Sequence, residues 1–112
     1  RGDLVEHLAS LDLVEGTALM VWHSSVWMYL TDRERSEFDR SLTQLATSAS
    51  ARTPLIEVSR EFQQGRIGST FPVIVRAWPA VSWTDAEPGQ LVVLGDSPAQ
   101  GIPMKWCEPV RL

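Results

Sequence analysis

Cysteine is almost missing from this 112-residue chain. Its single thiol, Cys107, cannot form an internal disulfide or a cysteine-based metal site, which fits a reducing compartment. Histidine is scarce as well. His7 and His23 are the two present, and neither has a carboxylate three or four residues on, so no helical metal-ligand pattern arises. No apolar run approaches the roughly 20 residues that span a bilayer, and no secretory leader pattern is present. Basic residues are outnumbered, with 10 Lys+Arg against 14 Asp+Glu and a net charge of -4. General nucleic-acid binding, which draws its affinity from phosphate neutralisation, is therefore not expected. Neither Gly-x-Gly-x-x-Gly nor Gly-x-x-x-x-Gly-Lys-Ser/Thr occurs, so nothing here cradles a phosphate by itself. Gly65-x-x-Gly68 resembles the tip of an RNA-binding loop, but the acidic charge and its flanks argue against that use.

What is present reads as one acidic, cytoplasmic α/β domain over residues 1–112, with 44% hydrophobic and 21% charged residues. The opening residue is Arg1, and the chain is expected to be the C-terminal fragment of a longer protein. Arg1-Gly2-Asp3 spells an adhesion tripeptide, which is taken as incidental because such recognition needs an exposed extracellular loop.

Leu4, Leu8 and Leu11 repeat at helical spacing behind Asp3, which is placed as an N-cap. Thr17 to Trp22 is continuously apolar, which predicts a strand buried on both faces in the middle of a sheet. Thr31 and Glu34 form a capping box, and Phe38, Leu42 and Leu45 form the buried stripe of a helix reaching about Ala46 to Ser48. Further strands are predicted at Leu55–Ser59, Phe71–Trp78, Gln90–Leu94 and, shorter, Ile102–Trp106. The fold expected is a mixed sheet with a parallel strand–helix–strand unit followed by antiparallel edge strands. Two helices leave one sheet face under-covered, so another segment or subunit is expected against it.

In open α/β sheets, ligands bind beyond the carboxyl ends of strands, where His23, Ser24 and Ser25 follow the first strand and Ser59, Arg60 and Glu61 the second. A His23–Ser24 base and nucleophile is one reading, but the nucleophile elbow needs glycines that Trp22-His23-Ser24-Ser25-Val26 lacks. The plainer expectation is that Ser24 or Ser25 caps the next turn while His23 bonds to backbone. The five tryptophans are expected mainly in core and sheet packing, with Trp83 the best candidate for an exposed interaction surface.

Val21-Trp22-His23-Ser24-Ser25-Val26, Tyr29-Leu30 and the helix from Arg33 to Phe38 resemble a bacterial family, Domain of Unknown Function 2332. Its members share an Arg-Gly-Asp-Leu opening, an apolar strand ending in Phe/Trp-His-Ser, a Tyr-Leu step and a helix rich in Glu, Arg and Phe. The resemblance follows the chain in order and is strongest through about residue 60. Near their ends members carry Asp-Pro-His-Gly before a final Trp, whereas here no histidine lies between Asp96 and Trp106. The resemblance implies that this is the C-terminal third of a longer protein, similar to the second half of a Rossmann-like methyltransferase. By that analogy Asp3, His23 and Ser24 would be cofactor-binding. S-adenosylmethionine would be held by the full-length protein and no cofactor by this piece alone. The missing N-terminal portion would be the first partner and a second copy another, with no nucleic acid and no membrane. The alternative is a non-catalytic protein-interaction or dimerisation module.

Overall fold

The computed structural model describes residues 2–62, 71–82, 84–98 and 105–112. The chain runs α1 (Gly2–Ala9), β1 (Leu19–Ser24), a 3-10 turn (Trp27–Tyr29), α2 (Asp32–Ala46), β2 (Leu55–Arg60), β3 (Val73–Trp78), β4 (Val92–Asp96) and β5 (Lys105–Arg111). Among the described residues these strands form one sheet in the order β1-β2-β3-β4-β5. β1 and β2 are parallel, with Val21 opposite Glu57 and His23 opposite Ser59. β3, β4 and β5 then join antiparallel, each beside its predecessor. The expected mixed α/β sheet, a parallel unit followed by antiparallel strands, is what forms.

α2 starts where its capping chemistry dictates. The Thr31 hydroxyl accepts from the Glu34 amide at 3.1 Å and the Glu34 carboxylate accepts from the Thr31 amide at 2.9 Å. Thr31→Ala is expected to cost about 1 kcal/mol, read as a lower urea midpoint at unchanged slope. The stripe of Phe38, Leu42 and Leu45 is buried and meets Val5 and Leu8 of α1, Leu55 of β2, and the partly covered Leu19 and Val21 of β1. Both helices therefore cover the same face.

The position of β1 corrects the sequence reading. It is an edge strand, not a central one: Leu19 and Val21 turn toward the helices, while Met20 and Trp22 are 60% and 55% exposed on the opposite face. An apolar run looks the same whether its second face is buried or merely uncovered. The under-covered face expected from the helix count is this one.

Smaller shifts follow from local chemistry. α1 already includes Gly2 and Asp3, so residue 3 lies inside the helix and not before it as a cap. Pro72 stays outside β3, as a residue without an amide donor should. β4 begins two residues later than predicted, after a turn in which Gly89 adopts φ +76°. β5 continues past Trp106 through Glu108 and Pro109, which an edge strand tolerates; Ile102 to Met104 lie outside the described residues, as do Gly65, Gly68 and Trp83.

Candidate functional site

The parallel register brings three positions of like parity onto the helix-covered face at the carboxyl end of the sheet: His23 of β1, Glu57 of β2, and Glu61 just beyond β2. His23 Nε2 lies 3.0 Å from Glu57 Oε2 and Nδ1 lies 2.7 Å from Glu61 Oε2. All three residues are buried. The antiparallel register sets Arg76 of β3 opposite Glu57, and its Nε donates to Glu57 Oε1 at 2.8 Å. Arg76 Nη1 then donates to Asp39 of α2 at 2.6 Å. The result is a continuous chain, Glu61–His23–Glu57–Arg76–Asp39, that ties both parallel strands, β3 and α2 together.

Ionised carboxylates only accept, so both imidazole nitrogens must donate, and His23 is a cation here. Burial pushes its pKa down, but hydrogen bonds from the ring to Glu57 and Glu61, and their charges, raise it to about 9. Burial likewise pushes Glu57 up, and the His23 hydrogen bond together with Arg76 holds it below the ordinary range. Trp27 stacks on the imidazole at 5.4 Å between centroids, and Phe38 meets it edge-on at 5.3 Å. An imidazolium with both N–H groups engaged is a fixed charge. It is neither a free base nor a metal ligand, because a ligating imidazole must be neutral.

Glu61 has a second task. Its Oε1 accepts from the amides of Val26 and Trp27, each at 3.1 Å. This fills the capping role expected of Ser24 or Ser25, and the 3-10 turn has no other side-chain cap. Ser25, at φ +56°, bends the chain off β1 so that these amides follow. On the far side of the turn, Arg35 donates to the Trp27 carbonyl from Nε at 3.1 Å and from Nη2 at 2.9 Å.

Ser24, the next residue, points to the other face of the sheet. Its hydroxyl accepts from Arg60 Nη1 at 3.2 Å, while Arg60 Nε donates to Ser97 at 2.8 Å and Nη2 to the Pro98 carbonyl at 2.6 Å. The Arg60 guanidinium also lies 4.8 Å over the Phe71 ring. His23 and Ser24 therefore belong to separate networks on opposite faces and form no base–nucleophile pair, and His23 binds carboxylates where a backbone contact was expected. Asp3 lies on a different element, α1, and its side chain is outside the description.

A cleft of about 200 Å³ opens beside His23, lined also by Trp27, Ser59, Ile74 and Leu91. Among the described residues the Ser59 hydroxyl, which lines this cleft, has no hydrogen-bond partner. Glu61 was placed beyond the second strand by the sequence reading, but Glu57, Arg76 and Asp39, which complete the site around His23, were missed. The signal for the first two was a charge within an apolar strand: Glu57 in Leu-Ile-Glu-Val-Ser and Arg76 in Val-Ile-Val-Arg-Ala-Trp. Of the tryptophans, Trp27 and Trp78 pack against the core as expected, whereas Trp22 and Trp106 are exposed. No described helix is long and apolar enough to cross a membrane.

Residues 1–106 match the model of a family described as "Uncharacterized protein conserved in bacteria (DUF2332)", and the chain belongs to that family. No curated protein and no solved structure matches it.

Proposed function

We propose that this DUF2332 chain is the C-terminal part of a methyltransferase-like α/β protein and has no transferase activity alone. The observation that carries this reading is the parallel β1–α2–β2 unit, whose carboxyl ends present His23, Ser24, Ser59, Arg60 and Glu61 where open α/β sheets collect ligands. The charge balance suits S-adenosylmethionine. Three carboxylates (Asp39, Glu57, Glu61) face two cations (His23, Arg76), leaving a net negative site for a sulfonium. The fit is partial: a cleft of about 200 Å³ falls below the roughly 300–1,000 Å³ of pockets that enclose ligands of that size. By the fold analogy Asp3, His23 and Ser24 are the proposed donor contacts; of these His23 lines the cleft, acting as a charge that orients and not as a base.

Calorimetric titration of S-adenosylmethionine and S-adenosylhomocysteine checks this on two samples, the 112-residue chain and the polypeptide as its gene encodes it. Saturable binding is expected in the second alone. Tight binding by the short chain would refute its incompetence, and no binding by either would refute the donor.

A second reading, a non-catalytic interaction or dimerisation module, is favoured by the exposed Met20 and Trp22 on the uncovered face of β1 and by Trp106 on β5. Sedimentation showing a strict monomer across the micromolar range would count against it.

A further inference from the structure

We infer that a cavity bordered by the carboxyl ends of α1 and α2 binds an apolar dipeptide, with the ligand's carboxylate held by Arg40 and its ammonium by Asp12. The cavity measures about 600 Å³, inside the roughly 300–1,000 Å³ of ligand sites. It shares no lining residue with the cleft beside His23, so what fills it does not depend on the donor.

The floor of the cavity is hydrocarbon. Leu8 of α1 and Leu45 of α2 are buried in the core and reach it from below, and the partly covered Leu11 and Leu13 continue it along the loop after α1. A ligand seated here is therefore apolar along its body. Gln44 also lines the cavity, one helical turn beyond Arg40, and its amide both donates and accepts, as a peptide link does.

The charges select the class of ligand. Arg40 and Asp12 are the two ionisable residues in the lining, and they are opposite in sign. Among the described residues neither forms an ion pair, with each other or with a third group. A simple anion would suit Arg40 and meet Asp12 as a like charge, and a simple cation would do the reverse. A zwitterion satisfies both. The carboxyl end of α2 also favours the ammonium, since its last turn holds no basic residue and its cap, Thr47, lines the cavity. Length sets the size. Arg40 stands six residues before Ala46, the last of α2, which is about 9 Å at 1.5 Å per residue. A single amino acid carries both charges on one α-carbon and cannot reach so far. Two extended residues span about 7 Å, and the hydrogen bonds at either end cover the rest.

The test is calorimetric titration of the full gene-encoded polypeptide with leucyl-leucine, its N-acetyl form, its C-terminal amide and free leucine. Saturable binding of leucyl-leucine is expected, with the other three weaker on the order of 10-fold or more, the effect of losing one charged hydrogen bond. Arg40 and Asp12 are exposed, so changing them leaves the core alone. Arg40→Gln should weaken leucyl-leucine to the same degree and leave the amide form nearly unchanged. Asp12→Asn should weaken leucyl-leucine likewise and leave the N-acetyl form nearly unchanged. No saturable binding of leucyl-leucine at millimolar concentration would overturn the inference. So would free leucine or the N-acetyl form binding equally well, or a variant that weakens all four ligands alike.

Discussion

Glu57→Gln is expected to lower unfolding stability by about 3–5 kcal/mol, the cost of breaking a buried charge pair by removing one partner. The argument is geometric. One Glu57 oxygen accepts from His23 at 3.0 Å and the other from Arg76 at 2.8 Å. Both neighbours are donors, so an amide at this position can satisfy only one of them and turns its own N–H groups against the other. The buried cation left without an acceptor bears the desolvation cost with nothing to offset it. The effect spreads, because Glu57 joins β1, β2, β3 and, through Arg76, α2. Glu37→Gln is the matched control. It removes a carboxylate from an ion pair with Arg33, whose side chain is 89% exposed, and should cost well under about 1 kcal/mol. Urea unfolding of both variants checks this, and equal small losses would mean that the buried chain of charges adds nothing beyond a surface pair.

The difference between these two glutamates also marks how far the sequence could be read. α2 was legible because its signals are local: a capping box four residues long and a stripe of Phe38, Leu42 and Leu45 at helical spacing. The parallel unit and the antiparallel strands after it were legible for the same reason, since the order of elements restricts their connections. His23 and Glu61 were legible as carboxyl-end residues, but their pairing, and the part Glu57 and Arg76 play in it, were not. Whether Glu57 meets His23 and Arg76 depends on the pairings Val21↔Glu57 and Glu57↔Arg76, and a one-residue slip in either strand would send the carboxylate to the other face. The edge position of β1 was hidden differently. Thr17 to Trp22 is apolar throughout, and a single chain does not reveal what covers Met20 and Trp22.

The same buried network predicts a pH profile for stability. In the unfolded chain His23 takes its ordinary value of 6.5, and in the folded protein about 9. Below 6.5 both states carry the proton and the contribution of the imidazolium is complete. As pH rises from 6.5 toward 9, the unfolded chain gives up a proton that the folded protein keeps, so unfolding becomes steadily easier. Above about 9 the contribution is gone, a total on the order of 3 kcal/mol. Glu57 acts with the opposite sign. Held below its ordinary 4.5, it contributes above that value and loses its contribution as the folded carboxylate is protonated at lower pH. Stability should therefore peak between about pH 4.5 and 6.5 and fall on both sides. Urea midpoints from pH 4 to 9.5 measure the curve, and His23→Gln supplies the assignment, since it should flatten the alkaline slope. A wild-type profile level between pH 6.5 and 9 would mean that His23 is not held as a cation between Glu57 and Glu61.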